Sequence, residues 1–126
     1  MPRFVIQRHQ ARSLHYDFRL EHDGVFKSWA IPKGMPTEVG VRRLAMQTAD
    51  HELVFGDFQG TILPGEYGAG TIEIWDRGNF TEIVWSDEAI TVLLQGAIVT
   101  GRYTLVLFPR RGDRAWLLFK LAEQLP

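Results

Sequence analysis

His15, Asp17 and Arg19 alternate with Tyr16, Phe18 and Leu20 along one short segment. In an extended strand, successive side chains point to opposite faces, so the two sets separate. The first set then forms a polar face and the second reads as core. Next-but-one residues on a strand lie roughly 6.5–7 Å apart at Cα, close enough for His15 and Asp17 to reach one metal ion. Arg19, one step further, suits an anionic ligand. His9 lies six residues upstream of His15. An uninterrupted strand would give it the same parity, and a bend or turn could equally return it to the site. Two imidazoles and a carboxylate suit Mn²⁺, Fe²⁺ or Zn²⁺ without choosing among them. They leave coordination positions open for water and substrate, as a catalytic metal requires. The plainer alternative is a hydrogen-bonded His–Asp pair or a salt-bridge network. His51 follows Asp50 and, taken alone, reads as an exposed or capping residue. His22, beside Asp23-Gly24, reads as an exposed turn residue.

The elements that must position these residues are strands. Candidate strands cover 4–8, 13–21, 25–30, 43–48, 71–76, 80–85, 90–94, 102–108 and 115–121. Breaks fall at His22-Asp23-Gly24, Pro32-Lys33-Gly34, Asp76-Arg77-Gly78-Asn79, Ser86-Asp87-Glu88, Gln95-Gly96 and Arg111-Gly112-Asp113. Glycine at these sites supplies positive φ, and Asp or Asn closes local hydrogen bonds. The segment Trp85 to Leu94 could hold a short helix instead. Leu63-Pro64-Gly65-Glu66-Tyr67-Gly68-Ala69-Gly70 matches neither a Walker loop nor a dinucleotide fingerprint, and reads as a tight connection into strand 71–76. Many short strands predict an all-β protein, and the length favours a small closed β-barrel with short helical or loop insertions. The 126 residues form one expected domain, 1–126. With no cysteine, disulfides and thiolate zinc sites are excluded. No apolar run approaches the ~20 residues of a membrane helix, and the N-terminus lacks a signal-type apolar stretch. The expectation is a soluble cytoplasmic protein without a membrane partner.

The net charge of −1 conceals a strong asymmetry. Residues 1–43 carry eight basic and four acidic residues. Residues 44–101 carry one basic and nine acidic, and residues 102–126 carry five basic and two acidic. If the two basic ends meet in space, they form a cationic face suited to a phosphate-bearing partner.

A set of segments spread in order along the chain carries a resemblance. These are Phe4-Val5-Ile6-Gln7-Arg8-His9, Ser13 to Glu21, Lys27 to Gly34, Asp50-His51, Gly56-Asp57-Phe58, Pro64 to Thr71, Trp75 to Gly78 and Trp116 to Lys120. Together they resemble the 3′-phosphoesterase domain of bacterial DNA ligase D, the end-joining ligase, and its free-standing relatives. The resemblance implies a small β-barrel with a Mn²⁺-dependent site acting on nucleic-acid 3′ ends. It implies metal ligands at His9, His15 and Asp17, a phosphate-contacting Arg19, and a catalytic His51 at the scissile phosphate. Lys33 and Arg43 match basic positions that handle substrate. Two departures stand out. The family has a tyrosine four residues after the catalytic histidine, whereas this chain has Phe55. A lost hydrogen bond to a charged group costs roughly 1.5–3 kcal/mol, so altered phosphate handling is expected. The ligase-borne domains also carry an N-terminal arm that supplies further site residues. This chain begins eight residues before His9, so that contribution is expected to be missing or supplied otherwise.

The implied activity is hydrolysis in two steps on DNA or RNA primer strands. A 3′-terminal ribonucleoside is removed to leave a 3′-phosphate, and the phosphate is then removed to leave a 3′-OH. Implied partners are 3′ ends of primer–template nucleic acid, with a DNA ligase or other end-joining proteins. Two other classes fit the bare residues. A non-catalytic barrel could bind nucleic-acid ends through basic grooves and aromatics. A non-haem iron oxygenase also uses two His and a carboxylate, although the chain is short for its usual double-sheet barrel.

Overall fold

The computed structural model describes residues 1–123. Nine strands form the fold: β1 (Arg3–Gln10), β2 (Leu14–His22), β3 (Val25–Ile31), β4 (Arg42–His51), β5 (Gly60–Ile62), β6 (Gly70–Trp85), β7 (Ala89–Gly96), β8 (Thr100–Leu107) and β9 (Ala115–Lys120). The helical insertions are two short 3-10 turns, Leu53–Asp57 and Pro109–Arg111. The sheet runs β1-β2-β3-β4-β9-β8-β7-β6-β5, and β1 also pairs with β6. That pairing closes eight antiparallel strands into a barrel and leaves β5 as a short strip on β6. The expected all-β closed barrel is therefore what the chain forms. Among the described residues, no helix is long and apolar enough to cross a membrane.

Two local expectations need correction. Asp76-Arg77-Gly78-Asn79 is not a break, because β6 runs through it. The N-terminal part of β6 pairs with β1, its C-terminal part pairs with β7, and the register with β1 shifts near Ile6. Asp76 is buried, and its carboxylate accepts hydrogen bonds from the backbone N–H groups of Arg77, Ala97, Ile98 and Val99. Its turn-forming chemistry closes the β7–β8 connection, not a turn of its own. Gly78 serves close approach, since a Cβ there would run into the Gln95 carbonyl. The possible helix over 85–94 is also absent. Ser86 Oγ instead accepts the N–H groups of Glu88 and Ala89 in a turn that leads into β7.

The interior is filled by Phe4, Ile6, Phe18, Leu20, Trp29, Leu105 and Leu118 among others, with Tyr16 packed partly buried against them. Apart from Trp75 at its margin, nothing between residues 46 and 79 belongs to this cluster. Val5 and Phe26 are buried on the outer face instead, under Gly56 of the first 3-10 turn. The stretch between β4 and β6 thus roofs the outside of the barrel wall. The two basic ends of the chain meet across β4, β9 and β8. Arg42 and Arg43 pair with Phe119 and Leu118, and Gln47 N–H donates to the Arg114 carbonyl.

Candidate metal and phosphate site

Strand alternation sends Phe4 and Ile6 of β1 inward and Gln7 and His9 outward. On β2 it sends Phe18 and Leu20 inward and His15, Asp17 and Arg19 outward. The route by which His9 joins the site is a hairpin. The chain turns back over Ala11–Ser13, so His9 lies directly opposite His15, and Gln7 opposite Asp17. The imidazoles of His9 and His15 have centroids 4.7 Å apart. One ligand atom from each of His9, His15 and Asp17 lies within 4.8 Å of the others.

Backbone carbonyls orient both rings. His9 Nε2 faces the Gly68 and Ala69 carbonyls at 2.9 and 3.2 Å. Carbonyls only accept, so the proton of a neutral His9 sits on Nε2 and the Nδ1 lone pair turns inward. His9 Nδ1 lies 3.4 Å from Asp17 Oδ2. His15 Nδ1 faces the Ser13 carbonyl at 3.3 Å, which turns Nε2 to Asp17 Oδ1 at 3.3 Å. Two imidazole lone pairs and a carboxylate thus converge. Electron-pair donors repel at that range unless a cation lies among them, and outer hydrogen bonds of this kind accompany metal-bound histidines. The residues fit a divalent cation. Without a metal, a protonated His15 donates Nε2–H to Asp17 instead, and that hydrogen bond raises its pKa despite partial burial. Burial opposes ionisation of Asp17, but the His15 hydrogen bond and the Arg19 charge outweigh it and leave its pKa lowered.

Arg19 is 3% exposed, and each of its three guanidinium nitrogens has one partner. Its Nε donates to Gln7 Oε1 at 2.6 Å, Nη1 donates to Ser28 Oγ at 2.9 Å, and Nη2 lies 3.5 Å from Asp17 Oδ2. Burial lowers its pKa from the usual arginine value, with Asp17 acting against that shift. Gln7 in turn donates to the carbonyls of Phe55 and Phe58, which ties the arginine to the roof.

His51 ends β4 opposite Phe26, so it is neither a cap nor fully exposed. Its ring stacks on Phe55 at 4.6 Å, and Phe55 stacks on Phe58 at 5.3 Å. Phe55 also covers the Arg19 guanidinium at 4.8 Å. Burial first, then the Arg19 charge, lowers the His51 pKa, so the ring is neutral near pH 7.

His9, His15, Asp17, Arg19, His51 and Phe55 line one pocket of about 510 Å³. The structure places two expected residues elsewhere. Lys33 is exposed in the turn after β3, and Arg43 lies in β4 beside Leu118; neither lines the pocket. Arg43 Nε is buried without a hydrogen-bond partner. Other lining residues were not anticipated. Arg12 comes from the β1–β2 turn, and Tyr67, Gly68 and Ala69 come from the glycine-rich segment. That segment is more than a tight connection, because it forms a wall of the pocket and orients His9. Gln7 and Ser28 also escaped notice. Gln7 had a readable signal, being two residues before His9 on the same strand face.

A family model described as the DNA ligase D 3′-phosphoesterase domain matches residues 7–107. The chain is 47% identical over 125 residues to the multifunctional non-homologous end joining protein LigD of Mycobacterium bovis, covering 96% of this chain and 16% of that protein. It is 44% identical over 127 residues to the Pseudomonas aeruginosa protein of the same name, covering 96% and 15%. With the Mycolicibacterium smegmatis protein of that name it shares 41% over 133 residues, covering 97% and 17%. The chain thus spans about one-sixth of the length of these relatives.

Proposed function

The chain belongs to the DNA ligase D 3′-phosphoesterase domain family, and on that premise we propose that it is a divalent-metal-dependent phosphoesterase that heals nucleic-acid 3′ ends. The observation that carries this reading is the convergence of a His–His–Asp donor set with Arg19 and His51 in one pocket. His9 Nδ1, His15 Nε2 and the Asp17 carboxylate would hold the cation, with Mn²⁺ the proposed ion. When bound, it supplies Lewis-acid polarisation of a phosphoryl oxygen and stabilises negative charge there.

The chain's own groups do the rest. Arg19 presents a buried, pre-oriented guanidinium whose geometry Gln7 and Ser28 hold. Donors that need no reorganisation stabilise charge as it develops on the phosphoryl oxygens. His51 reaches the same pocket as a neutral ring. It hydrogen-bonds a phosphoryl oxygen and, once the anionic substrate favours its protonated form, can pass a proton to the leaving oxygen. Phe55 supports both groups by stacking, and offers no hydroxyl to the phosphate. The proposed substrates are primer strands ending in a 3′-ribonucleoside or a 3′-phosphate, and the proposed partners are the ligase and other end-joining proteins. Lys33 and Arg43, which stand outside the pocket, are assigned to the body of the nucleic acid. The oxygenase alternative has no support in a phosphoesterase family.

The test is a gel assay on labelled primer–templates bearing each 3′ end, with and without Mn²⁺, using the protein and its His15→Ala variant. Mn²⁺-dependent trimming that the variant loses is the expected result. Binding of the ends without turnover in any divalent metal would overturn the enzyme reading in favour of an end-binding barrel.

A further inference from the structure

The pocket is larger than a phosphoryl group requires. Its volume of about 510 Å³ is in the range of sites that enclose a whole small ligand. The strand order fixes how its lining is arranged. Moving from β4 through β3, β2 and β1 to β6 and β5, the wall passes from His51 through the His–His–Asp set to Ile72 and Ile62. The far end is apolar at these isoleucines, and Arg12 of the β1–β2 turn lines the same pocket. The glycine-rich loop stands across that end, and Tyr67 there is 79% exposed while still lining the pocket.

The loop is held in place. Glu66 N–H donates to the Leu63 carbonyl, Ala69 N–H donates to the Glu66 carbonyl, and the Gly68 carbonyl meets His9. Gly70 (φ +126°) fits so closely against Gln10 and Ala11 that a Cβ would collide with their backbone. Tyr67 is thus an exposed aromatic ring on an anchored backbone, at the wall of the pocket.

We infer that Tyr67 is a stacking platform for the base of the 3′-terminal nucleoside that the reaction releases, and so sets a preference for nucleoside-ended over phosphate-ended strands. This rests on the 3′-end phosphoesterase reading. Charge decides which side of the scissile phosphate lies here. The retained strand is a polyanion, suited to the side of β4, where the β8–β9 connection carries Arg110, Arg111 and Arg114. The departing nucleoside carries no phosphate of its own, so it suits the apolar end, within the acidic stretch 44–101. In the step concerned, a water oxygen bonds to phosphorus and the bond from phosphorus to the nucleoside 5′ oxygen breaks. The nucleoside leaves with a proton on that oxygen, and the strand keeps a 3′-phosphate.

The experiment compares the protein with Tyr67→Ala and Tyr67→Phe on two primers, one ending in a 3′-ribonucleoside and one in a 3′-phosphate. Exposure of Tyr67 means that both variants should keep the parent melting temperature. Expected is a KM rise of roughly tenfold or more for Tyr67→Ala on the nucleoside-ended primer, as loss of base–aromatic stacking produces. On the phosphate-ended primer the change should stay within about twofold, and Tyr67→Phe should match the parent on both. Equal losses on both primers, no loss on either, or a loss in Tyr67→Phe as large as in Tyr67→Ala would overturn the inference. If the parent protein itself hydrolyses neither primer, the phosphoesterase reading fails, and this inference fails with it.

Discussion

Asp17 stands between three cationic or potentially cationic groups, and its removal should be felt without any substrate. Asp17→Asn leaves the Arg19 guanidinium buried among neutral partners. Breaking a buried pair in this way costs about 3–5 kcal/mol. Urea unfolding in a chelator should show that loss, and a change under about 1 kcal/mol would mean that Arg19 is hydrated rather than paired. If His15 ligates the cation as proposed, protons and metal compete there. Its pKa in the metal-free protein is raised, through Asp17 first, and only the neutral ring can ligate. Metal affinity should therefore weaken as pH falls, beginning above the ordinary histidine value near ~6.5. A Mn²⁺ titration at pH 8 and pH 6 checks this, and equal affinities would contradict it. The sign reverses for folding without metal. A raised folded pKa adds stability that is complete below the unfolded value and is lost as pH rises through the folded one. The melting temperature of the parent relative to His15→Ala, in chelator, should fall between pH 6 and pH 8. At this scale the face of β2 was legible in the sequence, because alternation alone sorts His15, Asp17 and Arg19 from Phe18 and Leu20. The position of His9 was not, since parity and a turn both permitted it and only the β1–β2 register decides.

At the scale of elements, turn chemistry and turn location came apart. Asp76-Arg77-Gly78-Asn79 has the composition of a turn, yet β6 passes straight through it. Its aspartate serves the connection from β7 to β8, some twenty residues later in the chain. Such tertiary use of a turn residue leaves no local signal. Asp76→Ala would strand the buried Val99 N–H, worth about 1–3 kcal/mol, and leave three part-buried N–H groups without their acceptor. Thermal unfolding should show a severe loss, and a near-parental melting temperature would mean that water replaces the carboxylate. The roof is a different kind of element. Gly56 packs on Phe26, and a Cβ would come within 2.5 Å of Phe26 Cε2. Gly56→Ala should displace the Leu53–Asp57 turn, and with it Phe55 from Arg19 and His51. Activity should drop well before barrel stability does. Parallel loss of both would show that the roof and the barrel fold as one unit.

Over the whole molecule, the closed barrel followed from strand count and length, whereas the strand order did not, because pairings such as β4 with β9 join residues about seventy or more apart. That same pairing brings the basic termini together on a protein of net charge −1. Binding to 3′-ended duplexes should therefore weaken steeply with salt, log affinity falling by about 0.9 per log unit for each phosphate neutralised. A flat salt response would exclude the cationic face from binding. The interior cluster draws almost nothing from residues 46–79, while the pocket takes its roof and one wall from that stretch. The barrel thus acts as a chassis and the excursion between β4 and β6 as an interchangeable fitting. On the proposed function, lineages, or directed libraries confined to 52–69, can retune which strand ends are accepted without renegotiating the architecture that holds His9, His15 and Asp17.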